Sequence, residues 1–488
     1  QRCKKYFKVY QEKIIMQYSV VNYKTVKENS DFRIDGEFYH PIILNRLNLL
    51  DLKQNDLLGN LAKFVVGPFG STVTVDKYVD ESEYRYIRNK DINDFIIGDD
   101  DIALISKNVY DPLKQFHIQE NDLLLTVVGT LGKVAIAQAK DTHSIFSCKS
   151  TLLRSKRLNP YYLLAYLNSP TGQIFSLRGK RGAIQEGLNL SDLKAIKVFI
   201  ASSEFQSQIE KLVKKFFGLV NQSKFVYSQA EHLLLSELGL LDWKPQHKLA
   251  FVKNFSDTQK AERIDAEYFQ PKYEEIISAV KKYKGGFVKL GEIAKTKRGS
   301  LISDTLYNEK NGTPYIRGAD FSSGFLSDDK LVCIDNSFKP SNETKVKKGD
   351  IVFALIGTVG SIALVDESFD GAFISNNLGK ITTQNYNSTV LQVLFHSIVG
   401  KLYFEKEQTQ TAQPKISDKD IHKFILPKLE NKTEKEIEKM YFESQKSKKL
   451  SKSLLELAKS GVEMAIEKDE KTAEKWIESE VEKLKTKL

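Results

Sequence analysis

Four stretches from the first half of the chain return in the second half, in the same order and at nearly the same distance. RIDGEFYHP at 33–41 returns as RIDAEYFQP at 263–271, 230 residues on. YIRNKDI at 86–92 returns as YIRGADF at 315–321, shifted by 229. NDLLLTVVGTLGKVAIA from Asn121 returns as GDIVFALIGTVGSIALV from Gly349, and AIQEGLNLSDL at 183–193 is answered by AQPKISDKDI from Ala412, both close to 228 residues on. Offsets that drift so little across four anchors exclude chance. One unit has been duplicated, and whatever folds in one half folds again in the other.

Each copy closes on a long helical pattern. From Ser202 to Leu238, apolar or small residues fall at Phe205, Ile209, Leu212, Phe216, Leu219, Ser223, Val226, Ala230 and Leu233, the alternation of four and three steps that a coiled-coil seam requires. Between Asn431 and Leu484 the corresponding seam runs through Ile437, Met440, Leu454, Ala458, Gly461 and Ala465, interrupted by Ser444, Ser447 and Ser451. No proline falls between Pro170 and Pro245 or after Pro427, so unbroken helices of about 55 and 80 Å are permitted at about 1.5 Å per residue. Each exposes an apolar stripe, and each is the other's natural partner. The stretches around GTLG and GTVG read as paired buried strands joined by tight glycine turns, and NPYYLLAYLNSP at 159–170 as a short helix with Pro160 in its first turn.

The predicted fold class is therefore α+β. Two similar mixed α/β globular units are separated by two long helices packed as an antiparallel coiled coil, giving a pseudo-two-fold internal repeat. The predicted boundaries are 17–201 for the first unit, 202–245 for the central helix and linker, 246–428 for the second unit and 429–488 for the terminal helix. Residues 1–16, which end at the first methionine, Met16, are an N-terminal extension without an assigned role.

With 41% hydrophobic and 28% charged residues, the 488-residue chain has enough apolar surface for two cores. Cys3, Cys148 and Cys333 lie too far apart for a disulfide framework or a zinc spacing, which fits a reducing, cytoplasmic compartment. The longest uncharged apolar stretch, 351–365, is glycine-broken and too short to cross a membrane. The basic first sixteen residues lack the apolar segment of a secretory signal. No membrane partner is expected.

The net charge of +10 is unevenly placed. Segment 429–488 sets 14 lysines against 14 acidic residues, so the excess lies entirely in the rest of the chain, a footprint suited to a polyanion. In the first unit LRGKRG at 177–182 places Arg178, Lys180 and Arg181 beside two glycines that let a backbone approach a phosphate. Gln185 follows, with an amide of the kind that pairs with adenine. The matching place in the second unit carries Lys406, Gln408, Gln410, Gln413 and Lys415. Lys295, Lys297 and Arg298 beside Gly299 form another basic loop, where the first unit has the nearly uncharged VVGPFGS at 65–71. Arg88 and Arg317 close the two YIR elements, placed either to brace the core or to reach a nucleic acid. Any one cluster taken alone is more often a solvated loop; their recurrence at matching places points to function.

Catalytic patterns are missing. No glycine-rich strand-to-helix fingerprint for a methyl-donor cofactor is present, and NPYY lacks the second proline of an adenine-methylation motif. GTLG and GTVG are not followed by the lysine and hydroxyl residue of a phosphate-binding loop, and no two histidines have metal-ligand spacing. Glu430 and Lys432 open a helix with no acidic residue placed to complete a nuclease motif. Asp35, Glu37, Asp265 and Glu267 each sit beside an arginine, so a structural ion pair at the start of each unit is the expected role.

Taken together, the two globular units, each with a YIR element, a hydrophobic DLLLTVVGTLGKVAIA or DIVFALIGTVGSIALV element and a Q-x-x-hydrophobic-x-x-x-D element, and each followed by a long helix, resemble the DNA-specificity subunit of type I restriction-modification systems. The resemblance covers nearly all the chain after residue 20, and the order of the elements, twice, carries it. It implies two target-recognition domains that read the halves of a split site on double-stranded DNA, with helices that set the half-site spacing and dock methyltransferase subunits, two in number. It further implies no chemistry and no bound cofactor on this chain: S-adenosylmethionine would reside on the modification subunits, and ATP and magnesium on the partner subunits, including the restriction subunits. Two rivals remain at this point. One is the recognition subunit of a related two-subunit enzyme; the other is a self-contained DNA-modifying enzyme, which would turn over DNA when purified alone.

Overall fold

The computed structural model describes residues 18–28, 32–182, 186–308, 312–322, 324–338, 340–409 and 413–486. Eight strands carry the repeat. In the first copy β1 (Ala62–Val66), β2 (Leu123–Thr126), β3 (Val134–Ile136) and β4 (Ser150–Ser155) form an antiparallel sheet in the order β1-β4-β2-β3. In the second, β5 (Ala294–Arg298), β6 (Ile351–Ala354), β7 (Ile362–Leu364) and β8 (Leu378–Thr383) repeat it as β5-β8-β6-β7. Leucine runs at β2 rather than alternation are explained by two-sided burial. Leu123 and Leu125 face one core while Leu124 faces another, and Ile351 and Phe353 are divided from Val352 and Ala354 in the same way.

A second sheet also recurs. Tyr84–Ile87 pairs antiparallel with Leu104–Ile105 and parallel with Ser144–Phe146; Thr313–Ile316 pairs antiparallel with Val332–Ile334 and parallel with Phe373–Ile374. Two short helices then cover each main sheet, Pro160–Asn168 with Pro170–Arg178 and Ser388–His396 with Ile398–Glu407. Asn159 caps the first of these, accepting from the Tyr161 amide at 2.9 Å, with Pro160 in the opening turn as its sequence predicts. At the corner of each helix pair a glycine is obligatory. A Cβ on Gly172 would lie 1.9 Å from the Tyr166 carbonyl oxygen, and one on Gly400 2.2 Å from that of Phe395.

The long helices are α1 (Ser203–Glu237), α2 (Asn431–Glu467) and α3 (Glu470–Thr486). The expected continuous terminal helix is thus two. The chain breaks at Lys468–Asp469, where Asp469 accepts from both the amide and the hydroxyl of Thr472 at 2.8 Å and starts a new helix. The break turns α3 back over α2, and Gly461 leaves the space that Ile477 fills.

The chain divides into two compact units, one running to Val220 and resuming at Lys448, the other spanning Asn221–Ser447. Each takes its own share of α1 and α2. In the first unit Phe205, Ile209, Leu212 and Phe216 join Leu454, Ala458, Val462 and Ala465 in the core, with Leu219 half-buried at its margin. In the second unit Ser223, Tyr227, Ala230 and Leu234 of α1 are buried, as are Ile437, Tyr441 and Ser444 of α2. The two helices run antiparallel there, Ser223 facing Ser444 and Tyr227 lying 6.2 Å from Tyr441. Val226, Leu233 and Met440, expected on the seam, are half-buried beside it. The buried stripe has moved by one residue because an α-helix turns every 3.6 residues and drifts off a strict heptad.

Candidate nucleic-acid interface

Five segments of the first unit meet along one rim. Gly67 lies against segment 147–149 so closely that a Cβ would stand 2.3 Å from the Ser147 carbonyl oxygen. The Lys149 carbonyl accepts from the amides of Val127 at 2.9 Å and Val128 at 3.3 Å, at the start of the GTLG turn. The Val127 carbonyl in turn accepts from the Leu188 amide at 2.9 Å, which ties the turn to the hairpin of Lys180–Arg181 and Gly187–Leu188. Asn89, after the YIR arginine, donates its side-chain amide to the Val128 carbonyl at 3.1 Å.

The second unit builds the same rim. A Cβ on Gly299 would lie 2.2 Å from the Ser375 carbonyl oxygen. The Asn377 carbonyl accepts from Leu355 at 2.9 Å and Ile356 at 3.3 Å, and the GTVG turn is tied to segment 409–415 by Gly357 N–H donating to Pro414 O at 2.9 Å. Gly357 and Gly360 hold φ of 86° and 92°, and Gly129 and Gly132 hold 81° and 74°, a region that favours glycine.

The expected site residues fall on or beside these rims, in two different states. Arg178 stacks its guanidinium 3.7 Å above the Phe38 ring and donates Nε–H to the Phe38 carbonyl at 3.0 Å, and burial pulls its pKa down. Arg181 makes a two-pronged contact with Asp192 at 2.9 Å, and Lys180 pairs with Glu186 at 2.7 Å. Arg88 pairs with Asp91 at 3.1 Å and Arg317 approaches Asp320 at 3.6 Å; in both turns the aspartate also accepts the arginine amide at 2.8 Å. These five brace the rim. By contrast, the basic loop expected at Lys295, Lys297 and Arg298 is strand β5; the Lys295 side chain is exposed without an ion-pair or hydrogen-bond partner among the described residues, and Arg298 is exposed while Nε–H donates to the Asn376 carbonyl at 2.6 Å. Lys297 pairs with the exposed Glu343. Gln413 is exposed, and Gln408 and Lys415 are half-buried, Lys415 bridging to Thr409 and Ile356. Gln185 and Gln410 lie outside the described residues.

One cation escaped the sequence reading. Lys149 is exposed on the first rim with no side-chain partner among the described residues. Its neighbours in sequence, Cys148 and Ser150, carry no charge pattern to mark it; only the fold brings it beside the GTLG turn. The RIDxE carboxylates are ion-paired as expected, Arg33 to Asp35 at 2.7 Å and Arg263 to Asp265 at 2.6 Å. The Arg263 guanidinium holds the Asp265 carboxyl below its usual range. No group of three or more His, Cys, Asp or Glu side chains among the described residues is arranged to hold a metal, and no described helix is long and apolar enough to cross a membrane.

The sequence profile of the type I restriction modification DNA specificity domain matches residues 66–224 and 283–478, taking in both rims. The chain belongs to that family. Membership places it among the DNA specificity components of type I restriction-modification systems. It is 30% identical over 133 residues to the type I restriction enzyme EcoBI specificity subunit of Escherichia coli, covering 27% of this chain and 28% of that protein. It is 24% identical over 210 residues to the putative type I restriction enzyme MjaX specificity subunit of Methanocaldococcus jannaschii, covering 41% and 49%. The matched stretches span half or less of these curated relatives. Among solved structures it is similar to the S subunit of a type I system from M. genitalium, with 14% identity, a TM-score of 0.40 and coverage of 85% of this chain and 94% of that one. It is also similar to an HsdS subunit from Thermoanaerobacter tengcongensis, with 16% identity, a TM-score of 0.28 and coverage of 85% and 97%.

Proposed function

We propose that the chain is the non-catalytic specificity subunit of a type I restriction-modification complex, and that each unit reads one half of a bipartite target on double-stranded DNA. The observation that carries this reading is the rim built twice from one set of backbone contacts and furnished with different side chains: Lys149 in the first unit, Arg298 and Gln413 in the second. A shared frame with unlike side chains suits two half-sites of unlike sequence. Exposed lysine and arginine position a duplex through its phosphates, and amides such as Gln413 discriminate bases. The long helices hold the units and offer surface for methyltransferase and restriction subunits, where S-adenosylmethionine, ATP and magnesium chemistry takes place. Mapping modified adenines in cells with and without this chain tests the proposal. A bipartite, asymmetric motif that vanishes with the chain is the expected result; a methylome with continuous motifs alone would overturn it.

A further inference from the structure

Two residues beyond each rim glycine, the side chain is large, apolar and in water. Phe69 follows Gly67 and is 87% exposed; Leu301 follows Gly299 and is 77% exposed. Both glycines are clamped on the same segment, against Ser147 in one unit and Ser375 in the other, so the two side chains occupy equivalent places. They are held there firmly. Pro68 and Val73 are buried on either side of Phe69, and Ile302 is buried beside Leu301. Thr72 N–H also closes the first loop onto the Phe69 carbonyl at 2.8 Å. A single exposed apolar side chain is ordinary on a protein surface; here the equivalent position of two loops of different sequence, GPFGS and GSLIS, carries a bulky apolar one in both units.

The surroundings select what it meets. Loops 67–72, 128–133, 147–149 and 178–188 together hold Lys133, Lys149, Arg178, Lys180 and Arg181 against Glu186, with Asp192 paired to Arg181 beside them. In the second unit, segments 295–303, 356–361, 375–377 and 408–415 hold Lys295, Lys297, Arg298 and Lys415, with the Glu343 carboxylate paired to Lys297 beside them. An apolar tip within a cationic rim complements a surface that is anionic outside and apolar within, which is a DNA duplex: phosphates for the rim, stacked bases for the tip.

We infer that Phe69 and Leu301 are wedges, each inserting its side chain at a base step of the duplex and kinking it. This rests on the DNA-reading function proposed above and adds the chemistry of the contact. Wedges of this type unstack one step and open the helix toward the protein, and flexible pyrimidine–purine steps resist them least. Local unstacking would also lower the cost of extruding a neighbouring base for modification.

The test uses the full chain with its methyltransferase partner and a duplex carrying the mapped target. Affinity is measured across a salt series, bending by end-to-end energy transfer, and unstacking by 2-aminopurine fluorescence. Phe69→Ala and Leu301→Ala should each weaken specific binding by about tenfold, reduce the bend and quench the 2-aminopurine signal. The slope of affinity against salt and the melting temperature should stay as in the wild type, because an apolar contact releases no counterions. Phe69→Trp should keep binding and bend. Variants that bind and bend like a wild type that itself recognises the target would overturn the wedge and leave the DNA-reading function standing. A wild-type complex that prefers no duplex would sink both.

Discussion

Ser223 and Ser444 donate to each other's backbone: Ser223 Oγ reaches the Ser444 carbonyl oxygen at 2.9 Å, and Ser444 Oγ reaches that of Ser223 at 2.8 Å. Both side chains are buried, Ser444 completely. Helices approach this closely only where the side chains between them are small, so the serines form the contact that the sequence reading took for a gap in the seam. Space outweighs polarity here. Ser444→Ala removes one hydrogen bond and should cost about 1 kcal/mol, whereas Ser444→Leu overpacks the crossing and should cost about 2–3 kcal/mol. Urea unfolding of the two variants checks the order; a costlier alanine would make the hydroxyl, not the space, the decisive feature.

Much of this architecture was legible because repetition and apolar runs are sequence properties. The GTLG and GTVG hairpins, the Pro160 helix start, the YIR strand ends and the RIDxE ion pairs all lie where the sequence places them. What stayed hidden depends on long-range geometry. The burial of Ser444, Ser447 and Ser451 needs a partner helix at close range, and the break at Asp469 needs a core for Ile477 to enter. Whether an arginine serves fold or ligand is equally unreadable from its neighbours, since Phe38 and Asp192 lie 140 and 11 residues from Arg178 and Arg181.

In the first unit, α2 is locked to the globular core by a buried ion pair, Arg46 Nη1 to Glu463 at 2.7 Å, with Thr171 donating both its amide and its hydroxyl to the same carboxylate. Burial raises the Glu463 pKa above its ordinary 4.5, and Arg46 offsets this only in part. The folded state therefore holds a proton that the unfolded chain has released between these two values. The stabilisation is complete below about pH 4.5 and is lost as pH rises through the folded value. Glu463→Gln should flatten this part of the stability–pH curve in melts between about pH 4 and 7. Arg46→Met leaves the buried charge unpaired and should destabilise the unit by about 3–5 kcal/mol at neutral pH.

Two glycines on helices should respond oppositely to the same change. Gly218 lies exposed in α1 with nothing within 4 Å of an added Cβ, so Gly218→Ala should stabilise by about 0.5–1 kcal/mol through helix propensity and reduced freedom of the unfolded chain. Gly172→Ala drives a methyl into the Tyr166 carbonyl at 1.9 Å and should destabilise by about 3 kcal/mol or more. Thermal melts of the two variants check the signs.

The two states of the rim cations predict two classes of variant. The side chains of Lys149 and Lys295 are exposed without partners among the described residues, so Lys149→Ala and Lys295→Ala should leave the melting temperature unchanged. Each should reduce the slope of log affinity against log salt by about 0.9, the yield of one lost phosphate contact. Arg178 covers the Phe38 ring and bonds its carbonyl, so Arg178→Ala exposes that ring and unpairs that oxygen. It should lower the melting temperature, and any loss of DNA binding should follow the loss of folded protein with the salt slope intact. Binding titrations between about 50 and 200 mM salt, paired with thermal melts, separate the classes. A normal melt with a shallower slope for Arg178→Ala would instead put its guanidinium on a phosphate and require the Phe38 stack to open when DNA binds.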